Sequence, residues 1–149
     1  MLTPPLNRDA IALLVPHAGA MCLLDRALAW DADTIACEAD RHRDPANPLR
    51  RGGCLPAVCG VEYALQAMAL HGALLAGDGE AQPAGYLSSL RDVSLACARI
   101  DTVAGPLSVR ARALAAETGG FIYRFEVEGG GSVLLSGQAA IILPRSAAA

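Results

Sequence analysis

Aromatic side chains are scarce in this chain: two phenylalanines, one tryptophan and three tyrosines, 4% of 149 residues. A core of any size must therefore be packed from Ala, Val, Leu and Ile. Charge is scarce too. Charged residues make up 18% of the chain and the net charge is −3, which excludes strong attraction to nucleic acid. No stretch offers the ~20 uncharged apolar residues of a membrane span. Residues 55–75 come nearest, but they contain Glu62, Gln66 and His71. The opening Met1-Leu2-Thr3-Pro4-Pro5 has no basic region followed by an apolar stretch, so no signal peptide is read there. The five cysteines, at 22, 37, 54, 59 and 97, are scattered and odd in number. They describe no disulfide framework and fit a reduced, cytoplasmic protein. The three histidines lack metal-ligand spacing. Gly129-Gly130-Gly131 leads into a strand rather than a helix, so it is no phosphate cradle. No cofactor and no metal are expected.

What is abundant is apolar: 53% of residues, with a mean hydropathy of +0.34. That excess fits a buried subunit interface, or simply an alanine-rich composition. A chain of this length buries roughly 68–70% of its unfolded surface. It is read as a single domain over 1–149, with an ordered core of about 7–143.

Along the chain, Asn7 can cap a short helix reaching Leu14. Pro16-His17-Ala18-Gly19 ends it. Residues 21–31 and 34–41 read as strands joined by a turn at Asp31-Ala32-Asp33, and residues 43–56, with three prolines and two glycines, as a loop. Residues 78–83 read as an exposed linker and the tail from Ser146 as disordered. The second half is strand after strand: 86–97, 107–113, 121–128 and 132–143. In the third of these, Phe121, Tyr123, Phe125 and Val127 alternate with Ile122, Arg124, Glu126 and Glu128. Gly119-Gly120 and Gly129-Gly130-Gly131 supply hairpin turns, and Gly137 marks a bulge or a close approach. Hairpins pair strands antiparallel.

Between the halves runs the most informative stretch, Cys54 to Gly77. It reads as one helix of about 20 residues, roughly 30 Å long, apolar on nearly every face. Such a helix belongs inside a protein. Its second turn carries one carboxylate, Glu62, with Gln66 one turn on. A glutamate in a buried helix is paired or used, so Glu62 is a site candidate. Its alternative is a carboxylate satisfied by the Arg41–Arg51 loop or by a partner chain. His71, nine residues on, is about 180° round the helix from Glu62 and is not its partner. An antiparallel sheet wrapped around one long central helix, an α+β layer arrangement, is the hot-dog fold.

Two stretches carry a resemblance: residues 15–26, Val-Pro-His-Ala-Gly-Ala-Met-Cys-Leu-Leu-Asp-Arg, and residues 54–66, Cys-Leu-Pro-Ala-Val-Cys-Gly-Val-Glu-Tyr-Ala-Leu-Gln. They resemble the hot-dog 3-hydroxyacyl-acyl-carrier-protein dehydratases. The wording from Asn47 to Gly72 is most similar to the dehydratase-like proteins of aryl-polyene gene clusters. The resemblance implies that Glu62 protonates or orients the leaving 3-hydroxyl. It also implies that amides at the helix start, near Ala57 and Val58, bind the thioester carbonyl. The family's base is a histidine in the loop before the helix, and here that loop has none. Aligning Gly53-Cys54-Leu55-Pro56 with the family's Gly-His-Phe-Pro puts Cys54 in the histidine's place. A thiolate near a helix N-terminus can be activated, so Cys54 is the positional candidate for the base, or else a remnant. Gln66 orients Glu62 or the thioester, or is a satisfied interface amide. His17 ties its turn to the sheet or lends a binding contact. His42 belongs to a basic loop with Arg41, Arg43, Arg50 and Arg51. That loop is either simply solvated or a dock for an acidic carrier protein.

The expected function is dehydration of a 3-hydroxyacyl thioester to the trans-2-enoyl thioester. The alternatives are a thioesterase, with Glu62 activating water, and a non-catalytic acyl-binding subunit of a dehydratase, which the missing loop histidine favours. Expected partners are acyl carrier protein or a coenzyme A thioester, a second copy of the chain, and a dehydratase hetero-partner. Neither a nucleic acid nor a membrane is expected among them.

Overall fold

A computed structural model describes residues 2–17, 19–80, 85–117 and 119–144. The linker read at 78–83 lies partly outside this set, and the tail from Ser146 wholly outside it.

The frame is one antiparallel sheet. Its strands are β1 (Leu6–Asn7), β2 (Arg26–Trp30), β3 (Thr34–Ala39), β4 (Tyr86–Leu95), β5 (Leu107–Glu117), β6 (Gly120–Gly129) and β7 (Ser132–Ile142). Their spatial order is β1-β2-β3-β5-β6-β7-β4. A short helix, α1 (Arg8–Ala12), is capped by Asn7, whose side chain accepts the Ala10 N–H at 3.0 Å. The long helix α2 (Gly60–Ala76) links β3 to β4 and packs across β3, β5 and β6. This is the hot-dog architecture.

The alternation read in the sequence sets the two faces of the sheet. Leu107, Val109, Ala111, Tyr123, Phe125 and Val127 are buried toward α2, and Arg110, Arg112 and Arg124 point away. Gly130 and Gly131 both take positive φ, the geometry of the two-residue turn between β6 and β7. Gly137 is opposite Phe125 in register, and a Cβ there would sit 2.9 Å from the Phe125 ring. Of the two readings of Gly137 the close approach holds; the bulge is not at Gly137 but opposite it, at Asp92 (φ 53°) and Val93 of β4.

Three elements differ from the sequence reading. The strand expected over 21–31 forms only from Arg26, because the backbone before it bonds to side chains instead. Gln66 Nε2 donates to Met21 O at 2.7 Å, and Gln66 Oε1 accepts the Leu23 N–H at 2.9 Å. Arg41 Nη2 donates to Cys22 O at 2.6 Å. The two-residue β1 escaped notice because so short a strand has no periodicity; it pairs Leu6 with Ala27. The helix begins as a 3-10 turn, Ala57–Cys59, and becomes α at Gly60. It stops at Gly77, in the left-handed conformation glycine favours.

By length and composition residues 57–76 could cross a bilayer. Here they form the central helix, with Tyr63, Ala64, Gln66, Ala67, Leu70 and His71 buried. Only Glu62, Leu65, Ala69, Gly72 and the last turn, from Leu74, stay partly open. The first four follow one another at three- or four-residue spacing, so they form one stripe.

Candidate active site

That stripe opens onto a cleft of about 330 Å³. Leu65, Met68 and Ala69 of α2, Phe121 and Tyr123 of β6, and Ile141 of β7 make its walls apolar. Polarity is concentrated at one end, where His17 Nε2 lies 3.0 Å from Glu62 Oε1. Their side chains are 27% and 30% exposed, shielded but reachable. The other ring nitrogen, Nδ1, is buried with no hydrogen-bond partner among the described residues, so Glu62 is the anchor of the ring. Glu62 stands in the first turn of α2, where the helix dipole favours negative charge.

Two side chains fix this pair without touching it. Gln66, one turn beyond Glu62, spends both ends of its amide on Met21 and Leu23. It thereby pins the segment that follows His17 against α2. Arg8 adds a bond of 2.9 Å from Nη2 to Gly19 O.

Under the cleft wall, His71 is fully buried. Its Nε2 lies 2.8 Å from Asp31 O and its Nδ1 2.8 Å from the Tyr123 hydroxyl. A carbonyl only accepts, so Nε2 carries the proton and Nδ1 takes one from Tyr123. Burial pushes the Tyr123 hydroxyl up to about 12, so that proton stays in place.

The sequence candidates fall into two groups. Glu62 and His17 meet; Gln66 is adjacent but committed to backbone. Cys54, Ala57 and Val58 do not line the cleft. Cys54 sits in a tight turn, with its thiol 3.4 Å from Arg51 O. The Ala57 N–H is used at 3.0 Å by Ala98 O, and Val58 projects into solvent. His42 is buried rather than presented by a basic loop, with Nε2 donating to Val103 O at 2.9 Å. Arg41 pairs with Asp25 at 3.0 Å, not with Glu62. His71, as the helical angle requires, makes no contact with Glu62. The apolar walls contributed by Phe121, Tyr123 and Ile141 escaped the sequence reading, and the one signal for them was the inward alternation of β6. No group of three or more potential metal ligands occurs among the described residues.

Comparison with known proteins agrees with the fold. The dehydratase heterocomplex ApeI:P from Xenorhabdus doucetiae has a chain of similar fold: TM-score 0.80, 21% identity, 95% of this chain and 93% of that one covered. A protein from Helicobacter felis, described as an HP0420 homologue, gives 0.63 at 16% identity over 98% and 94%. A mutant of the Pseudomonas aeruginosa thioesterase PA1618 gives 0.58 at 12% identity over 82% of both. At these identities the likeness is one of fold. No curated protein matches in sequence. The ApeP-like family model, described as ApeP dehydratase, matches residues 9–149, and the chain therefore belongs to the ApeP-like family of hot-dog dehydratases.

Proposed function

We propose that the chain removes water from a 3-hydroxyacyl thioester, held on acyl carrier protein or coenzyme A, to give the trans-2-enoyl thioester, in fatty-acid-like or polyene synthesis. The observation that carries this reading is the His17–Glu62 pair at the polar end of an apolar cleft. The stripe from Glu62 to Gly72 spans ten residues, about 15 Å of helix, along which an acyl chain can lie.

The reaction needs a base at C2 and an acid at the C3 hydroxyl. With one proton held between them, the two side chains supply both. His17 Nε2 takes the C2 proton, and the C–H electrons become the C2–C3 π bond. The C3–O bond breaks, and the Glu62 carboxylic acid protonates the departing hydroxyl, which leaves as water. The proton on His17 then returns to Glu62 across their 3.0 Å contact, which resets the pair. The base assigned to Cys54 by alignment thus passes, in this proposal, to His17.

The same carboxylate could activate water for thioester hydrolysis, and the two reactions differ in product: loss of water, or release of free thiol. The partner is proposed to dock on β4. This edge strand exposes Tyr86, Leu87, Leu90, Val93 and Leu95, and α2 leaves it uncovered. A second copy or a dehydratase hetero-partner would cover these side chains and wall the cleft beside Leu87.

The test is turnover of a 3-hydroxyacyl-carrier-protein substrate, followed by mass spectrometry, for the chain alone and with a partner dehydratase. Water loss should fall by roughly 10²–10⁴ in Glu62→Gln and in His17→Gln, and stay within about twofold in Cys54→Ala. Unchanged turnover in His17→Gln would remove the base assignment. Activity appearing only with the partner, and surviving Glu62→Gln, would make this chain a non-catalytic subunit.

A further inference from the structure

On the outer face of the sheet, away from the cleft, the register lines up an unbalanced row of charge. Thr34 is opposite Arg112, Arg112 opposite Arg124, Arg124 opposite Gln138, and Gln138 opposite Arg91. Directly paired residues point to the same face, so three arginines share one line across β5, β6, β7 and β4. With strands about 4.8 Å apart, the line is about 14 Å long. Arg110 stands beside it, two residues from Arg112 on the same face.

Like charges directly opposite each other in a sheet are destabilising, and Arg112 and Arg124 are such a pair. Neither of the two is held in an ion pair: among the described residues the ion pairs are His17–Glu62, Arg26–Glu38, Arg26–Asp40, Arg41–Asp25, Arg50–Asp101 and Arg99–Asp101. Neither Arg91, Arg110, Arg112 nor Arg124 appears in them, although Glu126 is opposite Arg110 in the sheet. All four arginines are exposed. The chain as a whole is acidic, with 15 carboxylates against 12 basic residues, every one of them arginine. Four of those twelve are gathered here, against Glu126 and Glu128 of β6 on the same face; the neighbouring Glu38 of β3 is taken by Arg26.

We propose that this face docks an acidic protein surface, most simply a helix with carboxylates at i, i+4 and i+7, which span about 10 Å. Guanidinium forks match carboxylates two bonds at a time and are favoured at interfaces. A second copy presenting the same face would set arginine against arginine. A nucleic acid would meet an acidic chain, and a row with no aromatic side chain for bases to stack on.

The probe is a synthetic amphipathic helical peptide with glutamates at those positions, and a glutamine-substituted control, each followed by fluorescence anisotropy. The glutamate peptide should bind and the glutamine peptide should not, with affinity falling as salt rises. Arg112→Glu combined with Arg124→Glu should weaken binding at least tenfold. Arg124→Glu alone, which turns the like-charge pair into an opposite one, should leave the melting temperature unchanged or raised, showing that any loss of binding is not a loss of fold. Equal binding of the two peptides, or indifference to charge reversal, would overturn the proposal. So would tighter binding of a single-stranded oligonucleotide of equal charge.

Discussion

Gln66 shows how a single side chain can be at a site without acting in it. It is buried one turn from Glu62, yet both ends of its amide hold backbone 43 and 45 residues away in sequence. Gln66→Leu leaves the Leu23 N–H and the Met21 carbonyl without partners, each a loss of about 1–3 kcal/mol if left unsatisfied. We expect a lowered urea midpoint. We also expect kcat for water loss to fall further than the substrate affinity, because the segment after His17 loosens while the cleft walls stay. A variant with lowered stability and unchanged kcat would make Gln66 purely structural. Tyr123→Phe is the matching test under the cleft wall. It removes the proton donated to His71 Nδ1, and a loss of about 1–3 kcal/mol in chemical denaturation is the expected outcome.

Among the elements, the start of α2 depends on a close approach and a clamp. A Cβ on Gly60 would come within 2.5 Å of a Leu135 methyl on β7, and Leu135 is itself buried. Gly60→Ala should therefore cost about 1–3 kcal/mol by overpacking, measured as a lower melting temperature. Asp101 clamps the approach to the helix: it accepts the Leu55 N–H at 2.9 Å and a bidentate contact from Arg99. The Arg99 guanidinium holds its carboxyl well below the usual carboxylate range. As pH falls through about 3.9, the unfolded chain takes up this proton while the folded one still resists it. The clamp's contribution is full above that pH and fades below it. Wild type should exceed Asp101→Asn in stability at neutral pH, and the gap should narrow toward about pH 3. A gap constant across that range would mean Asp101 acts through something other than its charge.

The elements also show where sequence reading succeeds. The alternation of residues 121–128 fixed which face of β6 is buried, because period two is a local property. The run Cys22-Leu23-Leu24 looked like strand because it is apolar. It is loop because distant side chains, Gln66 and Arg41, capture its backbone.

For the molecule as a whole, the open edge at β4 and its apolar side chains argue against a lone protomer. Sedimentation should show association, either of the chain alone or on adding a dehydratase partner. Charged substitutions at Leu87 and Leu90 should abolish it, and a monomer under both conditions would remove the edge as an interface.

The sequence alone determined the fold class and the helix that bears Glu62, since helical and strand periodicities, turns and caps are written in neighbouring residues. It also placed His71 away from Glu62, an angle set by the helix itself. Tertiary structure decided the rest. His17 reaches Glu62 across 45 positions of chain, Gln66 is consumed by backbone, and Cys54 is left in a turn outside the cleft. Those outcomes depend on how α2 docks beside the loop before β2. That docking is set by packing and hydrogen bonds between segments far apart in sequence, which no local pattern records.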